Sequence, residues 1–345
     1  MSDDRFQACL VTAETPGRYG GEIVSLDRSQ LPPGDVLIRV EYSSANYKDA
    51  LAAGGHRGIV RTLPHVPGID AAGTVVDSAA PEVVVGAQVL VTGYELGSGR
   101  WGGWAEYIRV PAEWVVPLHQ GLSPREAMIL GTAGFTAAQC VEALQRHDIE
   151  PSSGPIVVTG ATGGVGSLAV MLLSRLGYHV TGVTGKTERH DWLQSLGAKA
   201  VLSRQAVDDQ TSRPLLSARW AGAVDTVGGG TLSTLIRALK HRGCVAACGL
   251  VGGTDLSLTV YPFLLRGVKL DGIDSAQCPR EKRIDLWRKL SGEWRLEGLD
   301  RVAREFELSQ VASVVEDLLA GRSVGRPVLR IGQNASSAVV TRPQP

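Results

Sequence analysis

The residues whose types and spacing could do chemistry begin with a glycine-rich run, Gly160, Ala161, Thr162, Gly163, Gly164, Val165 and Gly166. A second group, Thr184, Gly185, Lys186, Thr187 and Arg189, follows about 20 residues later. Glycines let a backbone approach a pyrophosphate closely. The first N–H groups of a following helix are unpaired and sit at the positive end of the helix dipole, so they attract anions. Aligned to G-x-G-x-x-G, the turn reads Ala161-x-Gly163-x-x-Gly166, with Gly160 just before the departing position. This predicts dinucleotide binding by Thr162, Gly163, Gly164 and Val165. A unit that binds NAD usually has Asp or Glu near the end of its second strand, to bond the ribose 2′-hydroxyl. Here that tip carries Thr184, Gly185 and Lys186, and Glu188 already belongs to the next helix. A 2′-phosphate needs cations and hydroxyls, so NADPH is favoured over NADH.

The elements that must position this turn can be read around it. Ile156, Val157 and Val158 form an apolar, β-branched run that suits a buried parallel strand. Val165, Leu168, Ala169, Leu172, Leu173 and Leu176 recur at spacings of three and four and line one helical face. Gly177 stops that helix, and His179 to Thr184 reads as a second strand. The whole is a βαβ crossover of about 30 residues. Beyond it the pattern keeps alternating. Strands are predicted at 200–203, 222–226, 244–248 and 268–273, with helices at 187–196 and 231–241, which implies a doubly wound parallel sheet.

Upstream, short strands are predicted at Gln7–Thr12, Val36–Tyr42, Gly73–Val76, Gln88–Thr92 and Ala105–Val110, punctuated by Pro32-Pro33-Gly34-Asp35 and Val85-Gly86. Close spacing of short strands suggests a partly closed barrel. Ser123-Pro124-Arg125-Glu126 carries an N-cap, a first-turn proline and a capping-box glutamate, and Gly131 to Ala143 reads as a second helix. Downstream come a polar helix over 279–296, Phe306–Leu308, a helix over 310–320 and a last strand, 326–331. Strands that resume there predict a return to the first domain. The tail after Gly332 is polar and expected to be loose.

The chain has 345 residues, enough for two domains. Lys plus Arg equals Asp plus Glu at 35 each, which argues against nucleic acid or a membrane surface as a charge-driven partner. No apolar run is read as membrane-spanning, and the start, MSDDRFQACLV, lacks the features of a signal peptide. Cys9, Cys140, Cys244, Cys248 and Cys278 are odd in number and scattered, which fits a reducing cytoplasm. Cys244 and Cys248 are expected on one face of a strand, about 13 Å apart and both in the core.

Several segments resemble a known family. They are Ser44-Ala45-Asn46-Tyr47-Lys48-Asp49, His65-Val66-Pro67-Gly68-Ile69-Asp70, Trp101-Gly102-Gly103, Gly131-Thr132-Ala133-Gly134-Phe135-Thr136-Ala137, the glycine turn, Trp220 to Gly228, and Cys244 to Leu250. Over nearly its whole length the chain resembles zinc-independent medium-chain dehydrogenase/reductases of the quinone oxidoreductase-like type, and more narrowly the bacterial NADPH-dependent acrylyl-CoA reductases.

The resemblance implies an α/β protein: a Rossmann-type doubly wound parallel sheet plus a GroES-like, partly closed β-barrel catalytic domain. It implies a discontinuous catalytic domain, 1–125 with 300–345, around an NADPH-binding domain, 126–299. It implies hydride transfer to the β-carbon and a proton to the α-carbon of acrylyl-CoA, giving propionyl-CoA, in a homodimer paired through the edge at Val268–Ile273. Zinc-dependent relatives carry Cys and a His–Glu pair where this chain has Asn46 and Gly68-Ile69-Asp70, so no metal is expected.

By the same resemblance, the loop holding Asn46 and Tyr47 lies beside the nicotinamide. These two are then the candidate hydrogen-bond donors to the thioester carbonyl, with Tyr47 contacting cofactor, orienting substrate, supplying a proton, or only packing on the ring. Arg204 would join the adenosine phosphate site, and Leu250, Ile273 and Ser275 would line the nicotinamide side. Asp225 would shape the cofactor pocket or serve a turn. Arg57, Arg61 and Arg100 are candidates for the coenzyme A phosphates, against an ordinary surface role. Two alternatives stand beside this reading: a quinone or α,β-unsaturated ketone as acceptor, and a non-catalytic NADPH-binding sensor.

Overall fold

Buried β-branched runs organise the molecule into two large sheets beside a separate two-stranded one. The computed structural model describes residues 4–13 and 21–332; the tail after Gly332 lies outside the described residues. In the first half, β1 (Arg5–Leu10) pairs antiparallel with β2 (Glu22–Asp27). The strands β3 (Val36–Ser44), β4 (Asp70–Ser78), β5 (Gln88–Thr92), β6 (Tyr107–Val110) and β7 (Val116–Pro117) pair antiparallel around β3 and β4, and α1 (Tyr47–Ala53) leaves the end of β3. Two strands from the far end of the chain, β14 (Ala303–Glu307) and β15 (Arg326–Arg330), complete this sheet in the order β14-β15-β3-β4-β5-β7, with β6 on β3. Val328 stands opposite Ser44 in the β15–β3 ladder.

The second sheet contains β8 (Ile156–Val158), β9 (Val180–Thr184), β10 (Ala200–Ser203), β11 (Trp220–Asp225), β12 (Leu239–Ala247) and β13 (Lys269–Gly272), all parallel, in the order β10-β9-β8-β11-β12-β13. That is the order 3-2-1-4-5-6, whose switch point falls between β8 and β11 at the carboxyl ends of the strands. Its helices are α3 (Gly164–Arg175), α4 (His190–Ser195), α5 (Gly229–Arg237) and α6 (Tyr261–Arg266). Three more helices, α2 (Pro124–Arg146), α7 (Arg280–Ser291) and α8 (Val311–Leu319), pack around and between the sheets.

The helix α2 ties the two halves together. Ser123 Oγ accepts from Glu126 N at 3.2 Å while Glu126 Oε2 accepts from Ser123 N at 2.9 Å, which makes the capping box. Gly131 (φ 49°, ψ −154°) breaks the helix into two, as the separate start at Gly131 predicts. At 23 residues α2 is long and apolar enough to cross a membrane by composition alone, which the sequence reading overlooked. It is a core helix, because 89% of its apolar window is buried inside the protein. Phe135 on it is fully buried and stacks on Trp287 of α7 at 6.1 Å between ring centroids. Losing such a ring costs about 3–5 kcal/mol.

Some boundaries differ from the sequence reading. The helix expected over 231–241 stops at Arg237, and β12 begins at Leu239. Lys240, His241 and Arg242 look helical by polarity, but Arg242 has φ 62°, and the strand is irregular there. The helix expected to reach 296 ends at Ser291, because Gly292 turns the chain (φ −123°, ψ −107°). Cys244 is buried as expected, but Cys248 lies just beyond β12 and is only half-buried, its Sγ donating to Asp225 O at 3.4 Å.

Candidate active site

The glycine turn leaves β8 at the switch point. Gly160 takes φ 55°, and a Cβ there would stand 2.2 Å from Thr226 Oγ1, so the turn requires glycine. This explains the alanine in the motif: the left-handed residue is Gly160, and Ala161 only has to fit a buried space against Gly182. Gly163 N donates to Gly160 O at 2.8 Å and leads into α3 without a side-chain cap. A Cβ on Gly166 would lie 2.3 Å from Gly160 O, so glycine also permits the close approach of helix to strand. The α3 N-terminus thus presents bare N–H groups at Gly164 and Val165.

The tip of β9 lies beside this turn. Thr162 and Thr184 hydroxyls are 3.2 Å apart, and Lys186 N donates to Thr184 Oγ1 at 3.0 Å. A Cβ on Gly185 would meet Arg204 Nε at 2.6 Å, so the exposed Arg204 guanidinium lies over that glycine. Lys186 Nζ donates to Ser323 O at 2.7 Å and Arg322 O at 3.1 Å, on the loop between α8 and β15. One of its three N–H bonds stays free. Burial pulls the Lys186 ammonium below its usual range, and Arg189 and Arg204 push the same way against Glu188 and Asp317. Like charges gathered this closely want an anion.

In the other sheet's half, Asn46 stands at the N-cap of α1 and Tyr47 opens the helix, with Tyr47 44% exposed. The Asn46 amide is fully engaged. Its Nδ2 donates to Asp70 Oδ2 at 2.8 Å and Asp49 Oδ2 at 3.0 Å, with Ser44 Oγ at 3.3 Å. Its Oδ1 accepts from Arg326 Nη1 at 2.9 Å. Both amide hydrogens are therefore spent inside the protein. Asp49 is buried, accepts from Gly68 N and Ile69 N at 3.2 and 2.8 Å, and is pushed up to about 7 by burial and by the Asp70 charge. Asp70 also accepts from Thr132 N and Oγ1, at 2.9 and 2.6 Å, and from Ser44 Oγ at 2.5 Å.

The remaining expected site residues are placed less tightly. Leu250 is 62% exposed beyond β12. Ile273 is half-buried, packs on the main core and donates its N–H to Ala247 O at 3.0 Å. Ser275 gives its carbonyl to Arg283 Nη2 at 3.0 Å. Asp225 serves the turn: Thr159 Oγ1 and Gly228 N donate to its carboxylate at 2.6 and 2.7 Å. Arg100 is engaged with the carbonyls of Pro33 and Arg109 and lies over Trp114, whereas Arg57 and Arg61 are exposed. Sequence reasoning missed the roles of Ser44, Asp49, Asp70, Thr132 and Arg326. The only local signal was an acid inside each apolar run, YKDALAA and GIDAAG.

A Rossmann sheet with a glycine turn at its switch point, joined to a GroES-like domain, defines a dinucleotide-dependent oxidoreductase. Residues 32–120 match the alcohol dehydrogenase GroES-like domain and 164–291 the zinc-binding dehydrogenase domain. The chain belongs to the medium-chain dehydrogenase/reductase family. It is 44% identical to the acrylyl-CoA reductase AcuI of Ruegeria pomeroyi, over 94% of this chain and 99% of that one. Its structure is similar to that of Escherichia coli K-12 YhdH with bound NADPH, at TM-score 0.91 and 45% identity over 94% of this chain and 100% of that one. It is equally similar to Bacillus subtilis YhfP with NAD bound, at TM-score 0.91 and 44% identity over 95% and 99%.

A phosphorylated dinucleotide and a zinc ion fit this chain unequally. The turn, the bare α3 N-terminus and the cations around Gly185 suit a phosphorylated dinucleotide. A zinc ion does not fit. Among the described residues no group of three or more His, Cys, Asp or Glu side chains is placed to hold a metal. Where Asn46 and Asp70 converge, the Arg326 guanidinium is already present, with Nη2 3.7 Å from Asp70 Oδ2.

Proposed function

We propose that this protein is an NADPH-dependent reductase of a small enoyl-CoA, converting acrylyl-CoA to propionyl-CoA. The observation that carries the substrate is the end-to-end similarity to an acrylyl-CoA reductase. The preference for NADPH rests on Lys186, Arg189 and Arg204 around Gly185. Bound NADPH supplies the hydride.

The chain's own groups hold and orient. The N–H groups of Gly163, Gly164 and Val165, with the Thr162 hydroxyl, take the pyrophosphate. Thr184, Gly185, Lys186 and Arg204 take the adenosine ribose and its phosphate. Leu250, Ile273 and Ser275 line the nicotinamide side. Asn46 acts by holding the start of α1, since its amide is spent on Asp49, Asp70 and Arg326. Tyr47 is then the group free to donate to the thioester carbonyl as negative charge develops on it. Water supplies the proton at the α-carbon.

This reading divides the chain into a catalytic domain, 1–125 with 300–345, and an NADPH-binding domain, 126–299. It places the protein in the cytoplasm, consistent with five free cysteines. It pairs two copies along β13, which lies at an edge of its sheet beside exposed Leu250, Val251, Val260, Leu264, Leu265 and Leu270. The test is stopped-flow NADPH oxidation with acrylyl-CoA against a Gly163→Asp control. Turnover by the wild type alone supports the proposal, and equal rates refute it. A higher kcat/KM for a quinone than for acrylyl-CoA would move the activity to that acceptor.

A further inference from the structure

Arg326 is a buried cation that touches both the glycine-turn helix and the Asn46 loop. It is 2% exposed, at the start of β15. On the cofactor side its stem lies against the α3 N-terminus: a Cβ on Gly164 would stand 3.2 Å from Arg326 Cδ. The preceding residue, Gly325, donates its N–H to Thr162 O at 2.9 Å, so β15 begins hydrogen-bonded to the glycine turn. On the opposite side Nη1 donates to Asn46 Oδ1 at 2.9 Å, and Nη2 to Ser44 Oγ at 2.9 Å.

The same side chain also closes the break in α2. A helix interrupted at Gly131 exposes carbonyls before the break and N–H groups after it. Arg326 Nε donates to Ile129 O at 2.8 Å and Nη2 to Met128 O at 3.4 Å, while Asp70 accepts from Thr132 N. A cation thus caps the new C-terminal end and an anion the new N-terminal end, each favoured by the helix dipole. Gly131 makes room for both, since a Cβ there would lie 2.6 Å from Asp70 Oδ2 and 2.7 Å from Arg326 Nη2. Ser44 bridges the two charges, donating to Asp70 and accepting from Arg326.

We propose that Arg326 is a positioning residue: its guanidinium fixes the distance and orientation between the glycine turn and the Asn46–Tyr47 loop, and hence the register of hydride transfer. Asn46 can flip its amide only by setting an NH2 against a guanidinium and an oxygen against two carboxylates. Arg326 therefore decides which way the amide points, and Asn46 in turn holds the first turn of α1, on which Tyr47 stands. A planar fork can serve Asn46, Ser44 and Ile129 together, and a lysine ammonium at the end of a straight stem cannot reach all three.

This inference rests on the proposed reductase reading, and the test separates the two. Arg326→Lys is compared with wild type in four measurements. These are NADPH affinity by fluorescence, turnover of acrylyl-CoA, the isotope effect with NADPH deuterated at the transferred position, and hydrogen exchange of the peptide spanning α1. A misplaced reactant costs up to about 100-fold, so kcat is expected to fall about 10–100-fold. The isotope effect should rise as hydride transfer becomes limiting, exchange in α1 should accelerate, and NADPH affinity should change by no more than about threefold. Unchanged kcat, isotope effect and α1 exchange in a folded Arg326→Lys overturn the proposal. If that variant does not fold, Ser44→Ala decides on the same measurements, with the same directions expected. Wild type that binds NADPH without turning over acrylyl-CoA sinks the substrate reading, and α1 exchange then judges Arg326 alone.

Discussion

Lys186→Ala is the perturbation with the sharpest expected readout. In the structure the Lys186 ammonium has three N–H bonds, and two are used on the carbonyls of Ser323 and Arg322. The third is available to the 2′-phosphate of NADPH, and NADH has nothing to offer it. A hydrogen bond to a charged group is worth about 1.5–3 kcal/mol. At about 1.4 kcal/mol per tenfold, that predicts a rise of roughly 10- to 150-fold in Kd for NADPH. Partial exposure of Lys186 and the neighbouring Arg204 argue for the lower half of that range. Affinity for NADH should stay within about threefold, because NADH has no 2′-phosphate for the lost ammonium to meet. Fluorescence titration of both cofactors at one fixed ionic strength measures the ratio. Equal losses for NADPH and NADH would refute the placement of the 2′-phosphate at Lys186. Improved NADPH binding would show instead that the ammonium is committed to the α8–β15 loop.

Other perturbations test separate parts of the reasoning. Tyr47→Phe should lower kcat by about 100-fold with NADPH affinity unchanged, as removal of one oxyanion donor does; a kcat within about threefold of wild type would leave Tyr47 a packing residue only. Asp49 is pushed up to about 7 in the fold, from 3.8. The folded protein therefore binds more protons than the unfolded chain between those values, and this group's contribution to stability falls as pH rises through that window. Urea unfolding of wild type and Asp49→Asn at pH values near 5 and 8 should show the wild type losing ground relative to the variant at the higher pH; a pH-independent difference would contradict the burial argument. Leu264→Glu with Leu265→Glu, at positions 76% and 57% exposed beside β13, should convert the proposed dimer to a monomer by light scattering, whereas an unchanged mass would refute pairing along that edge.

The sequence alone determined what depends on neighbours along the chain. The β-branched run at 156–158, the spacing of three and four through α3, the capping box at Ser123 and the glycines of the turn each act over a few residues. Their elements therefore form nearly where the pattern places them. The cationic tip at Thr184–Lys186 was legible for the same reason. Even there, the role of Gly160 in place of the first motif glycine needed the φ angle and the approach of Thr226.

Only the tertiary structure decided which charges meet. Arg326 and Asn46 are 280 positions apart in sequence. They are neighbours because β15 runs antiparallel to β3 with Val328 opposite Ser44, and that ladder continued by two residues faces Arg326 toward Asn46. No local propensity encodes that register; it follows from burying Val328 and Leu329 in the cores on the two faces of the sheet. It turned Asn46 from a candidate donor to substrate into a residue held by its neighbours. Likewise no local pattern pairs Asp49 with Asp70; the fold buries both near a single guanidinium.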